Sequence, residues 1–247
     1  MNIIEVNDLW KKFMLRTGRA GSFSKIFNTF LNHPPQELNK EFWALKEVSF
    51  SVAAGKSLGV IGVNGSGKST LLKLLTGTMR PTRGQILVRG QKSSLIELGA
   101  GFHPDFSGRD NVYLNGMILG MSKAQVGKKF NEIVAFAELE NFIDVPVKYY
   151  STGMQARLGF AVATAVDPDI LMVDEVLAVG DGAFQQKCSR RIKEMQRQGV
   201  SFVLVSHGMG DIETVCDEVL WLHKGEVRLF GKTGDVVAEY RLSQGLQ

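Results

Sequence analysis

Two kinds of apolar pattern alternate along this chain, and they predict two kinds of strand. Residues 58–63 (LGVIGV), 170–173 (ILMV) and 202–205 (FVLV) are short unbroken runs, the form of parallel strands covered on both faces. Residues 3–9 (IIEVNDL), 48–52 (VSFSV) and 85–90 (QILVRG) instead alternate apolar with polar, which predicts half-exposed strands in a small antiparallel layer. Between the halves, Ser122 is placed to cap a helix whose Val126, Phe130, Ile133, Val134 and Ala137 fall at helical spacing. Residues 219–231 (VLWLHKGEVRLFG) read as a strand, a turn at Lys224-Gly225 and a second strand. From Met14 to Phe42 the pattern turns polar and irregular around one short amphipathic piece. There Phe23, Ile26, Phe27, Phe30 and Leu31 share a helical face, and His33-Pro34-Pro35 stops it. That stripe reads either as a helix packed on its own domain or as a docking surface for a membrane partner or the bilayer interface.

The chemistry gathers where the unbroken runs end. After the first run the chain reads GVNGSGKST, with the spacing G-x-x-x-x-G-K-S of a phosphate-cradling loop between strand and helix. Gly62, Gly65 and Gly67 permit tight turns that bring backbone N–H groups, with those of Asn64, Ser66 and Thr70 in the same stretch, up to phosphate oxygens. The new helix adds the positive end of its dipole. Lys68 reaches the β- and γ-phosphates, and the Ser69 hydroxyl is the expected Mg²⁺ ligand. After the second run come Asp174 and Glu175, at the edge where a parallel sheet presents ligands. Asp174 is expected in the Mg²⁺ shell and Glu175 to orient and deprotonate the attacking water. After the third run, His207 lies at the same edge, in hydrogen-bonding reach of a γ-phosphate. Ser151 and Gly153, in YSTGM, head an apolar stretch suited to a buried helix and offer hydroxyl and amide donors to an anion.

Length and composition narrow the class. A chain of 247 residues suits one α/β domain with an inserted lobe: residues 1–91 and 155–247 as nucleotide core with its β layer, residues 92–154 as helical lobe. The net charge is only +4. The basic cluster Lys11, Lys12, Arg16 and Arg19 is short and reads equally as a solvated or membrane-facing surface, so no nucleic-acid partner is expected. The two cysteines, Cys188 and Cys216, form no C-x-x-C pair and are expected to be reduced packing residues. The N-terminus lacks the pattern of a signal peptide, and no apolar stretch reaches the roughly 18–20 residues of a spanning helix. Membrane association is therefore expected through a partner.

Taken in order, GVNGSGKST, YSTGM, ILMVDE, Asp181 and Ser206-His207 resemble the phosphate loop, signature, Walker B, D-loop and switch histidine of ABC-transporter ATPases. The resemblance spans nearly the full chain. It implies a P-loop fold of ABC type, ATP and Mg²⁺ as ligands, and a homodimer sandwiching two ATP molecules. Ser151, Gly153 and Asp181 would then face the nucleotide held by the other subunit's Lys68. Phe13 is the expected adenine-stacking aromatic, ahead of Trp10.

The departures sharpen the resemblance. Tyr150, Thr152 and Met154 replace letters of the usual LSGGQ, and where the family has a Mg²⁺-contacting glutamine this chain has LIELGAGFHPDFSGRDN, with Glu97 nearest that place. EFWALKEVSF, ELGAGFHPDFSGRDN and YSTGM together are similar to ATPases of bacterial polysaccharide exporters. The nearest are those for lipid-linked O-antigen, then teichoic-acid exporters, with capsule exporters more distant. This implies an ATPase peripheral to the cytoplasmic face of the inner membrane, two copies of a transmembrane permease, and a lipid-linked polysaccharide as transported substrate. Some O-antigen ATPases add a C-terminal sugar-binding domain. This chain ends soon after Asp235–Arg241, so none is expected. Relatives acting on DNA or ribosomes usually carry coiled-coil insertions, zinc cysteines or tandem cassettes, and none is seen. A binding-only switch has no need of Glu175.

Overall fold

The computed structural model describes residues 1–17, 38–95, 99, 101–174, 180–206 and 208–245. Along the chain come β1 (Asn2–Thr17), β2 (Leu38–Ala53), β3 (Ser57–Ile61), α1 (Lys68–Thr76), β4 (Arg83–Val88) and β5 (Lys92–Ser94). The helices α2 (Gly108–Ile118) and α3 (Lys123–Ala137), a 3₁₀ turn (Val147–Tyr149) and α4 (Thr152–Thr164) follow. The chain then continues through β6 (Ile170–Asp174), α5 (Gly182–Arg197), β7 (Ser201–Val205), α6 (Met209–Val215), β8 (Glu218–His223), β9 (Glu226–Lys232) and α7 (Thr233–Ser243).

The unbroken runs form the centre of a sheet ordered β5-β6-β7-β3-β8-β9, parallel except for the β8–β9 hairpin. Side chains alternate between its two faces, and both faces are dry. Leu58, Val60, Ile170, Met172, Val203, Val205, Leu220 and Leu222 pack with Leu71, Leu72, Leu74 and Leu75 of α1 and with the second sheet. Ile61, Leu171, Val173, Phe202, Leu204, Val219 and Trp221 pack on the other side against α4, α5, α6 and α7. Each buried side chain of this size contributes roughly 1.5–3 kcal/mol, so the sheet is held as a rigid platform.

The second sheet is antiparallel, ordered β2-β1-β4. Its strands outrun the alternating pattern, because bulges at Val6/Leu9, Leu9/Lys11 and Lys11/Lys12 break the strict period of two. Met14–Phe42 is thereby corrected at both ends: Met14 to Thr17 and Leu38 to Phe42 are paired strand, not irregular chain. Cross-strand contacts hold that extension, with Trp10 edge-on to Trp43, and Lys12 over the Trp43 ring and paired with Glu41. Phe23, Ile26, Phe27, Phe30 and Leu31 lie outside the described residues.

The lobe is built from α2, α3 and α4 around Val112, Val126, Phe130, Ile133, Leu158 and Val162. Ser122 caps α3 in a reciprocal box with Gln125. Fully buried Asn111 pins the preceding loop: its Oδ1 accepts from His103 N–H at 2.7 Å, and its Nδ2 donates to the carbonyls of His103, Phe106 and Ser107.

The lobe boundaries at 92 and 154 need correction. Lys92–Ser94 is a strand of the main sheet, paired in register with Ile170–Met172, because Gln91 and Asp169 lock the two chain segments side by side. At the other end α4 runs unbroken through 154 and serves both cores, with Leu158, Ala161 and Val162 in the lobe and Phe160 and Ala163 on the sheet. Among the described residues no helix is long and apolar enough to cross a membrane.

Cys188 and Cys216 both sit in the apolar layer under α5 and α6. Burial pushes each thiol up to about 12. At pH 8 the folded chain should therefore react with iodoacetamide roughly a thousandfold more slowly than the unfolded chain. The unfolded thiols lose their protons first, so this stability is whole below about pH 9 and should fall by about 1.4 kcal/mol per pH unit per thiol toward pH 12. Equal alkylation rates in buffer and denaturant would contradict the placement.

Candidate functional site

The glycine-rich loop leaves β3 at Gly62 and enters α1 at Lys68. Its conformation is one that only glycine adopts without strain: φ is +146° at Gly62, +78° at Gly65 and +109° at Gly67. Gly67 caps α1 in the left-handed region with no side-chain hydrogen bond to the first turn. The helix thus opens without a side-chain cap and with no acidic residue in its first turn. A Cβ at Gly65 would meet nothing within 4 Å, so the cradle is open there. Lys68 is 6% exposed and folds over the loop, donating from Nζ to the carbonyls of Gly62 at 2.8 Å and Val63 at 3.2 Å. A buried cation at a helix start without a side-chain cap fits the phosphates of a nucleotide.

Asn64, Gly65 and Ser69 are exposed, Thr70 is half-buried and Ser66 is buried, its backbone tied into the scaffold. Asp174 ends β6 opposite Val205, one strand from β3, so the carboxylate and the start of α1 share the sheet's C-terminal edge. Among the described residues no cluster of three or more His, Cys, Asp or Glu could enclose a metal ion. One hydroxyl and one carboxylate suit Mg²⁺, which keeps water and phosphate in its shell rather than an all-protein cage. Glu175, His207 and Glu97 lie outside the described residues.

Ser151 caps α4, accepting at Oγ from Met154 N–H at 3.1 Å, and is exposed, with Gly153 half-buried in the first turn behind it. Asp181 has both carboxylate oxygens engaged within the chain, though its side chain stays 63% exposed. Oδ1 caps α5 by accepting from Phe184 N–H at 3.0 Å, and Oδ2 accepts from Arg157 at 2.6 Å. The Phe184 N–H and the Arg157 guanidinium, against a desolvation cost, hold its carboxyl below the usual carboxylate range. Arg157 continues to Glu138 at the end of α3, and Glu138 to Lys187 of α5. Sequence reasoning missed this network. Arg157, three residues past Met154 on the same helix, was the only local signal.

Phe13 is half-buried and paired in register with Phe42, two residues along β2 from Ala44, whose carbonyl abuts Gly67. Trp10 is engaged elsewhere, its indole N–H donating to Asp8 and its ring packed on Trp43.

A parallel sheet with a glycine loop, an amine and a carboxylate at its C-terminal edge, and a helical lobe presenting a capped serine, defines an ATP- and Mg²⁺-binding cassette. The chain belongs to the ABC transporter family, the class of ATP-binding, ATP-hydrolysing transporter subunits, whose profile matches residues 45–178. It is 48% identical over 244 residues to the O-antigen export system ATP-binding protein RfbB of Myxococcus xanthus, covering 98% of this chain and 56% of that one. It is 40% identical over 216 residues to the teichoic acids export ATP-binding protein TagH of Listeria innocua, covering 87% of this chain and 64% of that one. The chain thus spans about three-fifths of the length of these relatives. A dimeric ATP-binding cassette solved in a post-hydrolysis state with ADP and Pi superposes with a TM-score of 0.71 over 93% of this chain and 98% of that one, at 21% identity.

Gly67→Ala tests the loop. The new Cβ would stand 2.7 Å from the Ala44 carbonyl at a φ that L residues avoid, so ATP affinity measured by titration calorimetry should fall roughly ten- to hundredfold while the circular dichroism spectrum is kept.

Proposed function

We propose that this chain hydrolyses ATP as half of a homodimer, beneath two copies of a transmembrane permease at the cytoplasmic face of a bacterial inner membrane. The work drives export of a lipid-linked surface polysaccharide, O-antigen before teichoic acid. The observation that carries the substrate reading is the 48% identity with an O-antigen export protein across 98% of this chain, against 40% with the teichoic-acid protein.

In this reading the loop N–H groups and Lys68 hold the phosphates, Ser69, Asp174 and Glu97 would hold Mg²⁺, and Phe13 stacks on adenine. Bound Mg²⁺ offsets the negative charge of the phosphate oxygens. Glu175 orients a water and takes its proton as the oxygen attacks the γ-phosphorus, and His207 hydrogen-bonds the γ-phosphate. Ser151 and Gly153 close on the nucleotide of the partner subunit, for their helix start is exposed and stands on a different element from the phosphate loop. Asp181 positions that helix through Arg157.

Glu175→Gln removes the base and keeps the binding groups. Turnover should drop by about 10²–10⁴-fold, and a dimer should persist in ATP on size-exclusion chromatography. Hydrolysis at the parent rate would remove Glu175 from the role of base.

Mixing a Ser151→Arg chain with a Lys68→Ala chain should restore activity that neither has alone, since each heterodimer keeps one intact site. Verified heterodimers with no recovery would exclude a shared site. In cells, loss of surface O-antigen on deletion, restored by the parent and not by Lys68→Ala, tests the transport reading.

A further inference from the structure

The β8–β9 hairpin has no assigned part in nucleotide binding, yet its backbone touches the phosphate loop at both ends. At the loop's first residue, the Leu222 carbonyl of β8 lies so close that a Cβ on Gly62 would stand 2.2 Å from it. Four residues on, the Gly225 N–H of the turn donates to the Ser66 carbonyl at 3.0 Å. The turn itself needs left-handed backbone at both central residues, φ +51° at Lys224 and +84° at Gly225, the form that two-residue hairpins favour.

A third segment closes the contact. The Gly225 carbonyl accepts from the Lys46 N–H of β2 at 2.8 Å, and Lys46 pairs with the neighbouring Glu226. The Ala44 carbonyl lies against both glycines: a Cβ on Gly67 or on Gly225 would each stand 2.7 Å from it. Gly225 is therefore wedged between β2 and the loop, where any side chain would push the three backbones apart. None of these contacts uses an N–H group of the cradle's open side.

We propose that Gly225 is a positioning residue for ATP: the β8–β9 turn is a buttress that sets the spacing of the loop's phosphate-binding N–H groups, and nucleotide affinity depends on it. The proposal rests on the ATP-binding reading of the loop. A substituent at Gly225 displaces the Ser66 carbonyl or the β2 backbone, and the cradle loses registry with the phosphates. Among the described residues the contacts of Gly225 are with β2 and the loop, so the effect is expected in binding more than in kcat.

The test is steady-state ATPase kinetics and ATP calorimetry on the purified full chain with Mg²⁺. Gly225→Ala should raise KM and Kd for ATP roughly tenfold, the equivalent of one displaced hydrogen bond, with kcat within about twofold of the parent. Gly55→Ala is the control, since its φ of +78° imposes similar strain but its Cβ would meet only the Gly199 carbonyl at 3.8 Å. It should lower the melting temperature and leave KM unchanged. Should Gly225→Ala fail to fold, hydrogen exchange on the parent decides: Mg²⁺ and ATP should slow exchange at residues 224–226 together with 62–70. Parent KM in Gly225→Ala, or protection of 62–70 with none at 224–226, overturns the buttress alone. Absence of protection at 62–70 overturns the nucleotide reading and the buttress with it.

Discussion

A phosphate cradle works through backbone N–H groups turned toward its ligand, so most of its shape has to come from contacts made by other groups. Here those contacts are carbonyls and glycine α-carbons. Ala44, Leu222 and Ser66 supply the carbonyl oxygens, and Gly62, Gly67 and Gly225 supply the room. The burial of Lys68 follows from the same arrangement, for the loop closes round its stem and offers two carbonyls to its ammonium group. Everything else in the core serves to bring these backbones together: the dry sheet sets β3 beside β8, and the antiparallel layer lays β2 across the top.

One helix is shared between the lobe and this platform, and Phe136 of α3 packs beside it on Phe160 and Phe184. α4 turns Phe160 and Ala163 to the sheet and Leu158, Ala161 and Val162 to the lobe, so the serine at its N-terminus cannot move independently of either core. Asp181, Arg157, Glu138 and Lys187 add a chain of charges from α5 to α4 to the end of α3. Exposed pairs of this kind contribute little to stability, a median of about 0–1 kcal/mol each. Their effect is directional: Arg157 also lies over the Phe184 ring, which fixes the rotation of α5 against α4.

Much of this plan is written in local sequence. The unbroken apolar runs became the central strands, the phosphate loop sits where its glycines require, and Ser122 caps its helix with Gln125. What escaped was structure made by distant partners. Lys92–Ser94 is polar and three residues long, and becomes a strand only because β6 lies alongside. The extension of β1 and β2 is hidden by bulges that break the alternation. Gly225 was legible as a turn residue and not as a neighbour of Gly67, since nothing local marks a contact across more than half the chain. Nothing local marks Asn111 either, though its side chain organises the loop before it.

The wedge at Gly225 also orders events during synthesis. Ala44 and Gly67 leave the ribosome early, but the turn that spaces them is made near the C-terminal end of the sequence, and folding of such remote contacts waits for their last member. A nascent or prematurely ended chain that stops before β8 carries the whole glycine motif without the structure that holds it open. If the wedge sets the cradle's spacing, that spacing is expected only once β8 and β9 have been made.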